Sequence, residues 1–209
     1  MNAGFSNLTA LKAQMLSRDM RPRTDFDAQL LALGLGVAAA FDTFCNRRFA
    51  RAADDFFTTT GGRASLILPR LPLEEVAAVE TRDRAADDWT DQTSDLDYYN
   101  PDSGLVRFAT TLDAGQIRVT YTGGYHWEVK EPTDAGYPTA VPAGAATIPA
   151  DVLTAWHLQC QALWRASDKL GTGLAKEPDS QGGTSALTNI ELIPAAKALL
   201  AGYVRYALT

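Results

Sequence analysis

The sequence predicts an α+β protein. A helical bundle, made of a long helix 25–46, a helix 149–170 and a C-terminal helix, carries a small antiparallel β-sheet domain inserted at about 54–125. Three observations lead there. Phe26, Leu30, Leu33, Val37, Phe41 and Phe44 recur at helical spacing without a break. From about 54 to 125, short β-type runs alternate with glycine and proline turns, the pattern of an antiparallel sheet or small barrel. Ile148-Pro149-Ala150-Asp151 then opens a proline-started segment bearing Leu153, Trp156, Leu163 and Trp164.

Residues 6–17 form the first expected helix, with Ser6, Asn7 or Thr9 as cap and Leu8, Leu11, Met15 and Leu16 as its stripe. Arg21-Pro22-Arg23-Thr24 is a turn. The second helix is expected to start with Thr24 or Asp25 as N-cap. It would be about 30 Å long. Leu31, Leu35, Ala38 and Ala39 widen its apolar face beyond what one core needs, which makes part of it a candidate contact with another subunit. The expected strands are 56–60, 64–68, 76–81, 95–100, 104–109 and 116–122, with Gly61-Gly62 as a hairpin turn. In Pro101-Asp102-Ser103-Gly104, proline sets the first corner and glycine permits positive φ at the last.

Residues 126–147 are too long for an ordinary connection, which reads as a functional or partly disordered loop. In domain terms, residues 1–170 form one body. Residues 171–209 follow as a flexible linker, 171–189, and a helix 194–207 with Leu199, Leu200, Tyr203 and Tyr206 on one side. Candidate interface residues are Leu31, Leu35, Ala38, Leu199, Tyr203 and Tyr206. Candidate core residues are Phe41, Phe44, Trp156 and Leu163.

The chain has 209 residues, a net charge of −6 and a pI near 4.9. A protein that grips nucleic acid through phosphates needs a basic excess or stripe, and only Arg47, Arg48 and Arg51 cluster. No run of about 18 apolar residues is found, so no membrane span is expected. No signal peptide is read at the N-terminus. Cys45 and Cys160 are expected as buried free thiols, one disulfide being the alternative.

The chemical motifs each have a plainer reading. Gly34-Leu35-Gly36-Val37-Ala38-Ala39 matches a dinucleotide fingerprint in letters, but that motif needs a strand before it, and here helical periodicity already runs through it. Small residues admitting a neighbouring helix explain it better. The aspartates from Asp83 to Asp97 lack calcium-loop spacing and read as a solvated loop. His157 and Cys160 share a helical face but have no third ligand, and no metal or cofactor is expected. Neither a nucleophile elbow nor a P-loop is present. Glu74-Glu75 and Asp54-Asp55 are sequence neighbours whose side chains diverge in a strand, so neither pair shares a site. Tyr98, Tyr99, Tyr121, Tyr125 and Trp127 accompany aspartates rather than a positive groove, which favours packing over base stacking.

Several segments together resemble the head–tail connector (adaptor, or head-completion) proteins of long-tailed bacteriophages. Phe44-Cys45-Asn46-Arg47-Arg48-Phe49 is similar to that family's exit from its long second helix. Leu66-Ile67-Leu68-Pro69-Arg70-Leu71-Pro72-Leu73, with Val76 and Val79, is similar to its proline-punctuated strand. Val119-Thr120-Tyr121-Thr122-Gly123-Gly124-Tyr125 and Ile148-Pro149-Ala150-Asp151 follow in the family's order, and residues 192–205 resemble the ending of its longer members. The resemblance implies no catalysis. It implies a virion protein that forms a closed ring of twelve copies between the portal and a stopper or tail-completion protein, assembled in the host cytoplasm, with DNA passing through the lumen without sequence-specific binding. The alternatives are a stopper or tail terminator of the same particle, and an unrelated small enzyme or binding module. The helices argue against the former, and the lack of a dense polar constellation argues against the latter.

Overall fold

Asn7 caps the first helix of the chain, α1 (Leu8–Met15), its side-chain oxygen accepting from the Ala10 N–H at 2.9 Å. In this computed structural model, residues 7–128, 130, 133–169 and 190–205 are described, and they combine α-helices with antiparallel sheets. They fall into two compact units. One comprises Met1–Asn46, Trp127–Ala140 and Ile148–Thr209, and the other Arg47–His126 and Val141–Thr147.

The first unit is helical: α1, α2 (Asp27–Cys45), α3 (Ala150–Lys169) and α4 (Pro194–Leu200), closed by a 3-10 turn at Ala201–Tyr203. The expected N-cap at Thr24 or Asp25 is corrected. Phe26 holds the cap position with no side-chain bond, because Asp25 pairs with Arg23 instead. At the other end Asn46 adopts a left-handed conformation (φ 49°), and its N–H reaches the Asp42 and Thr43 carbonyls, stopping the helix as that cap geometry does. A second correction concerns α2 as a whole. By length and composition alone it could cross a membrane, contrary to the expectation that no such run exists. Its Leu30, Leu33, Gly34, Val37, Ala38, Phe41 and Cys45 are buried in the helical unit, which accounts for the apolar composition.

Gly34 is where the small-residue reading of α2 becomes concrete. The Trp156 indole of α3 donates its Nε1–H to the Gly34 carbonyl at 3.0 Å, both groups being buried. Val152, Ala155, Trp156, Gln159 and Cys160 make the buried stripe of α3 at helical spacing. Gln159 is the polar member. Its amide donates to the Glu191 carbonyl at 3.1 Å and accepts the Ile193 N–H at 2.8 Å, so it holds the extended residues leading into α4. Pro194 starts α4, and Leu192, Ala196 and Leu200 are buried. The described C-terminal residues thus belong to the helical core. The helix expected over 194–207 is corrected: α4 ends at Leu200, the 3-10 turn follows, and Val204 is extended; residues 171–189, expected as a linker, and 206–207 lie outside the described residues.

The second unit has two sheets around one apolar core. Strands β1 (Ala52–Thr60), β7 (Gln116–Gly123), β3 (Leu73–Arg82) and β4 (Thr90–Asp91) form the first in that order. Strands β2 (Arg63–Ile67), β6 (Leu105–Leu112) and β5 (Leu96–Tyr99) form the second. A short parallel pair joins β8 (Tyr125–His126) to β9 (Ala146–Thr147), closing the ends of the loop 126–147. β7 alternates strictly, with Ile117, Val119 and Tyr121 inward. β3 buries Leu73, Val76 and Val79 at intervals of three, because register shifts at Leu73/Glu75 and Val76/Ala78 each add a residue. β1 and β3 therefore begin earlier than their alternation suggests.

The expected Gly61-Gly62 hairpin is corrected. β1 pairs with β7 and β2 with β6, so these glycines carry the chain from one sheet to the other. Their N–H groups donate to the Gly115 and Leu112 carbonyls, and a Cβ on Gly61 would lie 1.6 Å from the Ala114 oxygen. Close approach is why glycine stands at 61, and a positive φ of 73° is why it stands at 62. The double glycine at the end of β7, Gly123 and Gly124, is likewise set by close approach. Gly124, at φ 93°, donates to the Pro72 carbonyl at 2.8 Å, and a Cβ there would meet the Ala50 oxygen at 2.6 Å. The Pro101–Gly104 turn joins β5 to β6 as expected. The Asn100 side chain accepts from the Asp102 and Ser103 N–H groups, and Gly104 has φ 69°.

Candidate functional site

The outer side of α2 carries a stripe without charge: Ala28, Leu31, Ala32, Leu35 and Ala39 are exposed, Leu35 the most so among its leucines at 42%. Helical spacing puts them on one face, opposite the buried one. Leu31 and Leu35 are therefore surface residues, as a contact role requires. Ala38 is not. It is buried inside the helical unit, one residue round from the stripe, and is corrected from candidate interface to core.

At the C-terminal end, Leu199 and Tyr203 are half-buried. The Tyr203 hydroxyl lies 2.8 and 2.9 Å from the two Asp151 oxygens, tying the 3-10 turn to the first turn of α3. The Arg205 N–H donates to the Cys45 carbonyl at 3.0 Å. Tyr206 lies outside the described residues. Of the candidate core residues, Phe41 and Trp156 are fully buried, while Phe44 and Leu163 are half-buried.

In the β unit the small basic cluster of the sequence is largely committed to internal partners. Arg51 makes a two-pronged bond to Glu74 at 2.7 and 2.8 Å, which raises its pKa further. Arg47 is buried, donates to the Leu71 carbonyl at 2.7 Å and stacks over Phe49 and Tyr125. Arg70, which the sequence placed only as part of a strand, is the most buried charge among the described residues. Its Nε binds Asp55 at 2.8 Å, its Nη1 binds the Ala50 carbonyl, and Arg48 lies 3.5 Å from the same Asp55 oxygen. Burial pushes the Tyr121 hydroxyl up to about 12, with Asp55 adding to the rise, so it is a neutral core group. The legible signal for Arg70 was a charge within an otherwise apolar and proline-bounded run, Leu66–Leu73.

Among the described residues no group of three His, Cys, Asp or Glu side chains is placed to hold a metal ion. Cys45 and Cys160 are buried free thiols, and burial pushes the Cys160 thiol up, away from the reactive thiolate. Burial pushes His157 down, and its Nε2 meets no hydrogen-bond partner among the described residues. The aspartates at 83–91 are exposed; Asp91 accepts from the Thr93 hydroxyl at 2.6 Å and from its N–H, which holds its pKa below the usual range.

What the two units present are surfaces and a well-tied frame. The chain matches the head completion protein family over residues 19–136, more than half its length, and it belongs to that family. It is accordingly a structural component of the head-to-tail region of a phage-like virion. Two solved structures have a similar fold. One is in the neck of an empty gene transfer agent particle computed with C6 symmetry (16% identity, 95% of this chain and 88% of that chain covered, TM-score 0.57). The other is in the virion of a native gene transfer agent particle (15% identity, 97% and 90% covered, TM-score 0.59). No curated protein matches the sequence.

Proposed function

We propose that this protein is a head–tail adaptor: a non-enzymatic ring, of twelve copies, between the portal and a stopper or tail-completion protein. The observation that carries this is the ordered set of connector-like segments, from the exit of the long helix at Phe44–Phe49 to the Ile148–Asp151 helix start, within a chain of the head completion family. The fold resembles one found in a neck with C6 symmetry, which fits a ring. In this reading a helical bundle with an inserted β unit forms the connector body over residues 1–170, and the segment from 171 adds a docking surface. A ring closed head to tail needs two unlike patches on each subunit. The uncharged α2 stripe around Leu31 and Leu35 supplies one, and the C-terminal segment that carries Leu199, Tyr203 and Tyr206 supplies the other.

A net charge of −6 per copy suits a lumen through which DNA slides without sticking. Assembly takes place in the host cytoplasm, the ring then residing in the virion. Negative-stain imaging of the protein mixed with its portal, against the protein alone, tests the reading. Rings capping the portal support it and count the copies. Rings that form only with a tail component would move the protein to the stopper or terminator role.

A further inference from the structure

We propose that the free protein forms a two-fold dimer by pairing the outer edge of β1 with the same edge of a second copy, antiparallel and centred on Thr58. Among the described residues β1 has one ladder neighbour, β7, and so stands at the edge of the four-stranded sheet. An edge strand offers unpaired N–H and C=O groups to another chain unless it is shortened, charged, bulged or covered. The other edges have such protection. β4 is two residues long, the part of β3 beyond it carries Glu74 and Glu75, two register shifts and bonds from Leu73 and Val79 to residues 92, 93 and 101, β5 is four residues long and carries the exposed Asp97, and β2 has Arg63 and a register shift. β1 is protected only over 52–55, where the register shifts, Asp54 takes φ 50°, and Asp54 and Asp55 bring charge.

From Phe56 to Thr60 the strand is regular, uncharged and free of proline, and made entirely of aromatic and β-branched residues. Phe56 is 67% exposed, more than any other large hydrophobic residue described. The midpoint of that run is Thr58, which selects the register. Pairing about Thr58 sets Phe56 opposite Thr60 and Phe57 opposite Thr59, cross-strand pairs that stabilise a sheet. The ladder is bounded on one side by the bulge at 52–55 and on the other by Gly61-Gly62, where the chain leaves for the second sheet, so its centre is Thr58. Centring two residues earlier would draw the irregular 52–55 segment and its carboxylates into the ladder. The occupant that fits the edge is therefore the edge itself. This pairing concerns the chain before it joins a particle and does not depend on the ring reading.

Single-cysteine cross-linking tests it. Residues directly opposite in an antiparallel pair have Cα atoms about 4.5–5.5 Å apart, a separation that a disulfide spans. Thr58→Cys should therefore give a disulfide-linked dimer under mild oxidation. Phe56→Cys should not, because the two copies of residue 56 would sit about 13 Å apart. Cys45 and Cys160 are buried and do not compete. Thr58→Lys, which opposes two like charges, should shift a concentration-dependent dimer to monomer in sedimentation while circular dichroism stays unchanged. Monomeric wild-type protein, or equal cross-linking of both cysteine variants, would overturn the proposal. Neither outcome bears on whether rings cap the portal.

Discussion

The two units tie down their polar groups in opposite ways. The β unit pins its arginines: Arg70 to Asp55, Arg51 to Glu74 and Arg118 to Glu80, the last with Trp89 packed 4.3 Å from both Arg118 and Arg82. Among the described residues the helical unit has the ion pairs Lys12–Asp27 and Arg23–Asp25, and its buried polar contacts are side chains that grip backbone, Trp156 on Gly34 and Gln159 on residues 191 and 193. It also leaves Leu31 and Leu35 outside. The difference follows from geometry. Antiparallel strands set charged residues side by side on an open sheet face, so pairing them is local. Helices meet through apolar stripes, and what remains to be satisfied is backbone where one helix ends or a loop docks.

The largest expected effects test this contrast directly. Trp156→Ala should cost about 3–5 kcal/mol in chemical denaturation, from lost burial and a cavity against Gly34. A loss below about 1 kcal/mol would remove Trp156 from the core. Arg70→Ala should cost a similar amount, about 3–5 kcal/mol, by leaving the mostly buried Asp55 carboxylate with only the exposed Arg48 nearby. Adding Asp55→Ala to that variant should restore part of the loss, and if it does not, the pair is not the source. Trp156→Phe keeps an aromatic ring but loses the donor and the pyrrole portion of the indole, and should cost about 2–3 kcal/mol.

Smaller effects sharpen the comparison. Tyr203→Phe should cost about 1 kcal/mol and loosen the terminal segment, visible as faster amide exchange at Val204 and Arg205. Unchanged exchange would mean the Asp151 contact holds nothing. The acid side of the stability profile should carry a contribution from His157. Burial lowers its folded pKa, so as pH falls below its usual value near 6.5 the unfolded chain takes up the proton first and stability drops. His157→Phe should flatten that part of the curve. A slope that stays the same would assign acid sensitivity to the carboxylates.

Periodicity made most of this legible. The α2 stripe, the alternation of β7 and the proline start before α3 all survive into the structure, because each depends on spacing that a helix or strand must impose on its buried face. Strand partners were less legible. Two glycines between β-runs suit a hairpin and a crossing between sheets equally well in letters, and only the pairing with β6 and β7 distinguishes them. The start of β1 and the three-residue burial interval of β3 were hidden for a related reason, since a bulge inserts a residue that breaks the period. Ala38 shows the limit on a helix. Where apolar residues occupy nearly the whole circumference, spacing cannot say which of them face inward.

By itself the sequence determined the α+β class, the order of the helices and sheet region, the apolar excess of α2, and the match to the head completion family over residues 19–136. These are local properties, or simple orderings of local properties. Only the tertiary structure decided that Ala38 lies inward while Leu35 lies outward, that Gly61 and Gly62 pass the chain between sheets, and that Arg70 is a buried charge with Asp55 as its partner. Each of those depends on which distant backbone comes within hydrogen-bond or van der Waals reach, and the letters along one strand or helix do not contain that distance.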